Sequence, residues 1–349
     1  MATKTGKKVN LITGGTSSLG RAIATTLIGR GDEVRVIIRD DPTALPDWKK
    51  LPPGTIPYVS DLTFAKRSDE ANLKEAAKGV DRVFHIGGAT YNSRYTYDQL
   101  IDINVIGTQN LLTSIVDSNP DSKKIQFLYA SSVTVYGYRR KGEALRETTT
   151  AKPGSHYSES KVMAERLIET FCDAHPNIQY TIFRLGTMYG PGYEEPYFFK
   201  VFRLIKEGKM KYVGNGDNNL TLVHVADATA GFIAAADNPD RAKNQVFNLT
   251  DGKPHTPKIT FTLAANYMNV PPPSKHVPKA IARLLSKSAN INNDEYEFLT
   301  SDRLIDISKI KDYLDFVPTR KLEVDGLYMV QNFMQSLHHV KPNKEEDKR

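Results

Sequence analysis

The stretch VNLITGGTSSLG, residues 9–20, decides how the first half of the chain is read. VNLIT is a short apolar run of strand-forming residues, and from Ser18 the apolar spacing becomes that of a helix. A turn with Gly14, Gly15 and Gly20 joins the two. Such a turn aims backbone N–H groups and the positive end of a helix dipole at one point, which suits a pyrophosphate. Gly14, Gly15, Thr16, Ser17, Ser18, Leu19 and Gly20 are therefore the candidate phosphate-binding residues.

Outward from this turn, strand-like and helix-like patterns alternate. A helix over 18–30 precedes EVRVII (33–38) and TIPYV (55–59), and a helix near 68–78 precedes DRVFHI (81–86). A long helix over 96–118, IQFLYA (125–130), a helix over 156–175 and IQYTIFRL (178–185) follow. Strands alternating with helices predict an α/β chain with a Rossmann doubly wound parallel sheet. After Gly190 the rhythm breaks, which predicts a smaller, mainly helical substrate lobe. The expected division is 1–188 with 217–252 for dinucleotide binding, 189–216 with 253–338 for substrate, and 339–349 as a frayed polar tail.

Composition narrows the class. The 349 residues include no run of eighteen apolar residues, and the start MATKTGKKVN lacks the apolar core of a secretory signal, so a soluble, cytoplasmic protein is expected, without a membrane partner. The single cysteine, Cys172, lies on an apolar helix stripe with Leu167, Ile168 and Phe171 and reads as core. The net charge of +7 is scattered, with no aromatic-basic stripe and no metal-ligand spacing, which argues against nucleic acid and against a metal site.

Cofactor choice is read after the second strand. An adenosine ribose diol calls for an acid there, but the positions hold Ile38 and Arg39, and a guanidinium pairs instead with a 2′-phosphate. NADP(H) is thus preferred, with NAD(H) still possible. Asp61 and Leu62, just past the third strand, stand where an adenine would be capped. Further on, HYSESK (156–161) sets Tyr157 four residues before Lys161, on one face of a helix.

These motifs resemble the extended short-chain dehydrogenase/reductases, in the branch of 3β-hydroxysteroid dehydrogenases and dihydroflavonol reductases. TGGTSSLG (13–20) matches the family turn except that Ser17 replaces the middle glycine, ASSVTVYG (130–137) supplies Ser132, and PGSHYSESKVMAE (153–165) supplies Tyr157 and Lys161. The likeness continues through most of 9–330. It implies that Ser132, Tyr157, Lys161 and Asn104 form the catalytic set, with Tyr157 as acid/base and Lys161 also holding the nicotinamide ribose. Moving a tyrosine pKa from about 10 toward 7 needs roughly 4 kcal/mol of phenolate stabilisation, much of which the Lys161 ammonium together with the positive nicotinamide of an oxidised cofactor can supply. By the same resemblance, His85 and His224 lie in structural or cofactor-adjacent motifs and read as satisfied strand-end histidines rather than as bases.

Ketone/alcohol oxidoreductases and nucleotide-sugar epimerases share this scaffold. Thr187 and Leu220 stand where nucleotide-sugar enzymes carry polar partners for a diphosphate, which favours the oxidoreductase and leaves the epimerase as the alternative. A cofactor-binding sensor or scaffold without turnover is the non-enzyme alternative; such proteins usually lose Tyr or Lys. Thr134, Met188, Tyr189, Tyr193, Tyr197 and Phe198 are candidates for a substrate pocket. Leu100, Ile103, Leu111, Leu112, Met163 and Leu167 exceed one buried stripe, and the family pairs these helices across a two-fold axis, so a homodimer is expected.

Overall fold

A computed structural model describes residues 6–90, 95–191, 196–288, 296 and 300–339. β1 (Val9–Thr13) leads into α1 (Ser18–Gly29), then β2 (Glu33–Ile38), β3 (Thr55–Val59), α2 (Asp69–Ala77) and β4 (Arg82–His85). Next come α3 (Tyr97–Ile101), a π-helical turn (Asp102–Ile106), α4 (Gly107–Ser118), β5 (Ile125–Ser132), β6 (Arg139–Leu145), α5 (His156–Ala174) and β7 (Ile178–Leu185). β8 (Thr187–Tyr189), α6 (Pro196–Lys206), β9 (Tyr212–Val213), β10 (Leu222–His224), α7 (Val225–Asp237), α8 (Pro239–Ala242) and β11 (Gln245–Leu249) follow. The chain continues with α9 (Pro257–Tyr267), β12 (His276–Val277), α10 (Lys279–Ser288), β13 (Asp302–Ile305) and helices Ser308–Leu314 and Leu322–His339.

Seven strands form one parallel sheet in the order β3-β2-β1-β4-β5-β7-β11. Side chains alternate along each strand, so neighbours feed opposite cores. Ile12, Phe84, Leu128 and Phe183 pack with α1 and α7 on one face. Leu11, Val83, Phe127 and Ile182 pack with α2, α4 and α5 on the other. With both faces covered, the strands are near-continuous apolar runs, as a parallel sheet requires. The strand order reverses between β1 and β4, and ligands of such sheets bind in the crevice at that point.

A third core joins α6, α9 and Leu322–His339 through Phe202, Phe261 and Phe333, which makes the smaller lobe. The expected boundaries give 253–338 to that lobe, yet Ile305, Ile307, Ile310, Leu314 and Phe316 pack into the large sheet's core. Tail residues 340–349 lie outside the described residues.

Several expectations need correction. β11, from the segment 217–252 assigned to the dinucleotide-binding part, docks beside β7 as the seventh strand of the sheet. Within that same segment, Leu222–His224 does not join the large sheet but pairs with β8 in a separate two-stranded sheet. The single helix over 96–118 is broken by the π turn, whose extra residue a 3.6-residue pattern does not reveal. β6 and β13 pair with each other, and their charged sequences RRKGEAL and DRLI carry no alternating apolar signal. Leu111 and Leu112 face the sheet core and Leu100 packs on Tyr157, so they are taken up within the protomer. What α3, the π turn and α5 leave exposed is Tyr97, Ile106 and Met163.

Candidate active site

Ser17 caps α1: its hydroxyl accepts from the Gly20 N–H at 3.1 Å and donates to the Gly14 carbonyl at 2.7 Å. The residue that departs from the family turn thus closes the turn itself. Gly14 has φ +69°, and a Cβ there would lie 2.6 Å from the Gly87 amide nitrogen. At Gly20 a Cβ would lie 2.3 Å from the Gly14 carbonyl oxygen. The turn is therefore tight backbone against backbone at the start of a twelve-residue helix, a cradle that fits a dinucleotide pyrophosphate.

Behind it lies a closed chain of hydrogen bonds. The Gly87 N–H donates to Thr13 Oγ1 at 3.0 Å, which is 2.7 Å from His85 Nδ1. His85 Nε2 is 2.9 Å from Thr108 Oγ1, and that hydroxyl donates to the Asn104 carbonyl at 2.7 Å. Only a neutral imidazole, with Nε2 protonated, satisfies every member. Burial, and after it the Lys161 charge, push the His85 pKa down to about 3. His224 caps α7 through Nδ1. His85 is thus satisfied through both ring nitrogens, whereas His224 Nε2 is buried without a hydrogen-bond partner among the described residues.

α5 opens with a capping box of Ser155 and Ser158, which fixes the backbone just before Tyr157. Tyr157 packs against Ala89 and Leu100 and is 8% exposed. One turn on, Lys161 Nζ donates to Tyr129 Oη at 2.9 Å and to the Ala130 carbonyl at 2.8 Å. Burial lowers the Lys161 pKa to about 7, against which the Glu165 carboxylate pulls upward. At the end of β5, Ser132 Oγ accepts from the Thr134 N–H at 3.2 Å and the Thr134 hydroxyl at 2.9 Å. Accepting both directs the Ser132 proton to donate elsewhere. Ser131, on the opposite face of β5, donates to Glu165, which Arg184 Nη2 holds at 2.7 Å.

Asn104 sits in the π turn, where its Oδ1 accepts from the Ala89 N–H at 2.8 Å and its Nδ2 donates to Ser160 Oγ at 2.9 Å. It ties the loop after β4 to α5 and so positions Tyr157. Ser132, Thr134, Tyr157, Lys161 and Met188 line one cavity of about 110 Å³, together with Leu19, Ala89 and Arg303.

The matching family model is the NAD dependent epimerase/dehydratase family, over residues 10–250. The chain belongs to that family. It is similar to the 3-beta-hydroxysteroid dehydrogenase of Mycolicibacterium neoaurum, 30% identical over 259 residues, covering 70% of this chain and 66% of that one. It is also similar to the human sterol-4-alpha-carboxylate 3-dehydrogenase, decarboxylating, 26% identical over 273 residues, covering 76% and 68%. The chain thus spans about two thirds of the length of these relatives. In fold it resembles the UDP-glucuronic acid 4-epimerase of Bacillus cereus bound to NAD, with a TM-score of 0.74 at 19% identity over 94% of this chain and 99% of that one. The resemblance to the extended short-chain dehydrogenase/reductases is borne out, and the relatives support an NAD(P)-dependent oxidoreductase.

Other positions named from the sequence of this epimerase/dehydratase family member fall as follows. Ile38 is buried at the end of β2 and Arg39 is exposed just beyond it. Asp61 Oδ1 accepts from the N–H and hydroxyl of Thr63, and the Leu62 carbonyl accepts from Asn110 Nδ2. Tyr189 and Phe198 line a second cavity inside the small lobe rather than the one with Tyr157, because Met188 and Tyr189 point to opposite sides of β8. Tyr193 and the Tyr197 side chain lie outside the described residues. Sequence reading missed Tyr129, Glu165, Arg184 and Arg303. Glu165 alone left a signal, one helical turn past Lys161 on α5.

Proposed function

We propose that this protein interconverts a ketone and a secondary alcohol, with NADP(H) preferred over NAD(H). The observation that carries this reading is the convergence of Ser132, Tyr157 and Lys161 on one cavity whose other walls are largely apolar. The turn Gly14–Gly20 would hold the cofactor pyrophosphate, and Arg39 the 2′-phosphate. A bound nicotinamide supplies or accepts the hydride at the substrate carbon. Tyr157 delivers or takes the proton at the substrate oxygen, and the Ser132 hydroxyl donates to that oxygen as charge develops. Lys161 lowers the phenol's pKa by charge proximity. Asn104 holds the helix that presents Tyr157. Apolar and cyclic ketones suit the walls formed by Leu19, Ile86, Val133, Leu185 and Met188.

The protein would act as a cytoplasmic homodimer, joined through the face that exposes Tyr97, Ile106 and Met163. Light scattering at micromolar concentration checks the mass.

A two-armed assay tests the function. NADPH oxidation is followed with cyclic, aromatic and steroid-like ketones, and UDP-, GDP- and dTDP-sugars are examined for epimerisation without net cofactor change. Stoichiometric oxidation of NADPH by at least one ketone is expected. Redox-neutral conversion of a nucleotide sugar, with every ketone inert, would establish the epimerase instead. Arg39→Ala should weaken NADPH by roughly 1.5–3 kcal/mol, the scale of charge-assisted hydrogen bonds, and NADH hardly at all.

A further inference from the structure

Lys161 lines the cavity at Tyr157, and its amine is anchored on β5, the strand that ends in Ser132. Its Nζ donates to the Ala130 carbonyl at 2.8 Å and to Tyr129 Oη at 2.9 Å, and lies 4.6 Å from the centre of the Tyr129 ring. Among the described residues these are its two acceptors. Tyr129 is fully buried, with the His85 ring against its own at a centroid distance of 5.3 Å. Thr13 and Thr108 hold that imidazole at both nitrogens, so the phenol has a fixed wall beside it. The charged and titratable groups around the lysine are Tyr157 and Glu165 on its own helix, His85 on β4, Tyr129 on β5, Arg184 on β7 through its ion pair with Glu165, and Arg303 of β13, which lines the same cavity.

An ammonium has three N–H groups, whereas an amine has two and a lone pair. With two N–H groups spent on β5, the third position of Nζ is a donor only if Lys161 is charged. Both acceptors bind an ammonium more strongly than an amine, and so favour the charge that burial opposes. The Ala130 carbonyl is backbone and any residue there would offer it. The phenol is the part of this arrangement that a side chain supplies. We propose that Tyr129 is a positioning residue: it keeps Lys161 charged, turns the third N–H of the ammonium into the cavity, and so sets the pH at which Tyr157 gives up its proton. Burial holds the pKa of Tyr129 itself well above that of a free phenol, so it stays a neutral acceptor while its neighbours titrate. The part that concerns Tyr157 rests on the acid/base reading of that residue, and the part that concerns Lys161 does not.

The test reads titration without turnover. Lysine labelled with carbon-13 at Cε reports the protonation of its amine by nuclear magnetic resonance, and the signal missing from Lys161→Met is that of Lys161. It is followed with pH in the full-length protein and in Tyr129→Phe, which keeps the ring and removes the oxygen. The Lys161 midpoint should fall by about one pH unit, the scale of one hydrogen bond to a charged group. A phenol that only braced the fold would give the opposite sign, because a loosened site admits water and lets the midpoint climb toward that of an ordinary lysine. In the same proteins, the phenolate absorbance that disappears on adding Tyr157→Phe isolates Tyr157, whose midpoint should rise. A Lys161 midpoint that stays or climbs would overturn the proposal. A fallen Lys161 midpoint with that of Tyr157 unmoved or lowered would overturn the link between the two. Ketones that all prove inert would sink the oxidoreductase reading and leave the Lys161 titration standing. If thermal melts show that Tyr129→Phe does not fold, Tyr129→Met, a flexible side chain with only a weak acceptor, decides by the same midpoint.

Discussion

The cavity at Tyr157 and the small-lobe cavity lie on opposite sides of β8, and neighbouring residues of that strand belong to each. Met188 lines the first, of about 110 Å³, where Ser132, Tyr157, Lys161 and Arg303 meet. Tyr189 lines the second, of about 60 Å³, which is walled by Val201, Phe202, Phe261, Met329 and other apolar side chains, with Thr260 and Tyr267 as further hydroxyl residues. Tyr189 Oη is buried there without a hydrogen-bond partner, and burial raises its pKa far above the usual phenol value. In the first cavity, by contrast, Lys161, Ser132 and Thr134 are tied into networks that fix their geometry. Burial alone does not make a site. What distinguishes the first cavity is that its polar groups converge and are braced from behind by Tyr129, Glu165 and Asn104.

Three changes would break or sharpen that contrast. The largest effect is expected of Tyr157→Phe, which removes the proposed proton carrier and keeps the ring: turnover should drop at least about a hundredfold, with NADPH affinity nearly intact. Near-normal turnover would end the assignment.

Lys161→Met comes next and reads the cost of placing a cation in the first cavity. Because its folded pKa is about 7 against an ordinary 10.5, the unfolded chain binds the extra proton between those values. The penalty is therefore fully present below pH 7 and disappears as pH rises to 10.5. The Met variant should lose activity while its stability relative to wild type is greater at pH 6 than at pH 10, by on the order of 1 kcal/mol or more. Thermal melts of both proteins at the two pH values check this, and a difference independent of pH would contradict it.

The smallest effect concerns the second cavity. Gly326 lines it from the helix Leu322–His339, and a Cβ there would meet Leu322 Cδ1 at 3.3 Å. Gly326→Ala should change stability by no more than about 1 kcal/mol, with helix propensity favouring the alanine, and leave turnover unchanged. A tenfold fall in turnover would show that the second cavity is part of the substrate path.

The sequence by itself determined those features whose cause is local. The turn at 13–20 shows as Gly spacing between a strand and a helix, and Tyr157 and Lys161 show as one face of α5. His85 reads as structural from its motif, and the hydrogen-bond chain through both its ring nitrogens gives the reason. Tertiary structure decided what depends on distant segments meeting. Tyr129 lies 32 positions from the lysine it holds, and Arg303 lies 170 from the Val133 carbonyl it binds. Neither carries a periodic pattern, because a single side chain reaching across the fold leaves none. Phe198 and Tyr189 looked like pocket aromatics in the sequence, but strand alternation at β8 turns Tyr189 into the small-lobe core. Leu111 and Leu112 looked like interface residues, but the parallel sheet, buried on both faces, uses a wider apolar stripe than one helix period suggests. Periodicity reveals how apolar a face is, and only packing reveals what that face meets.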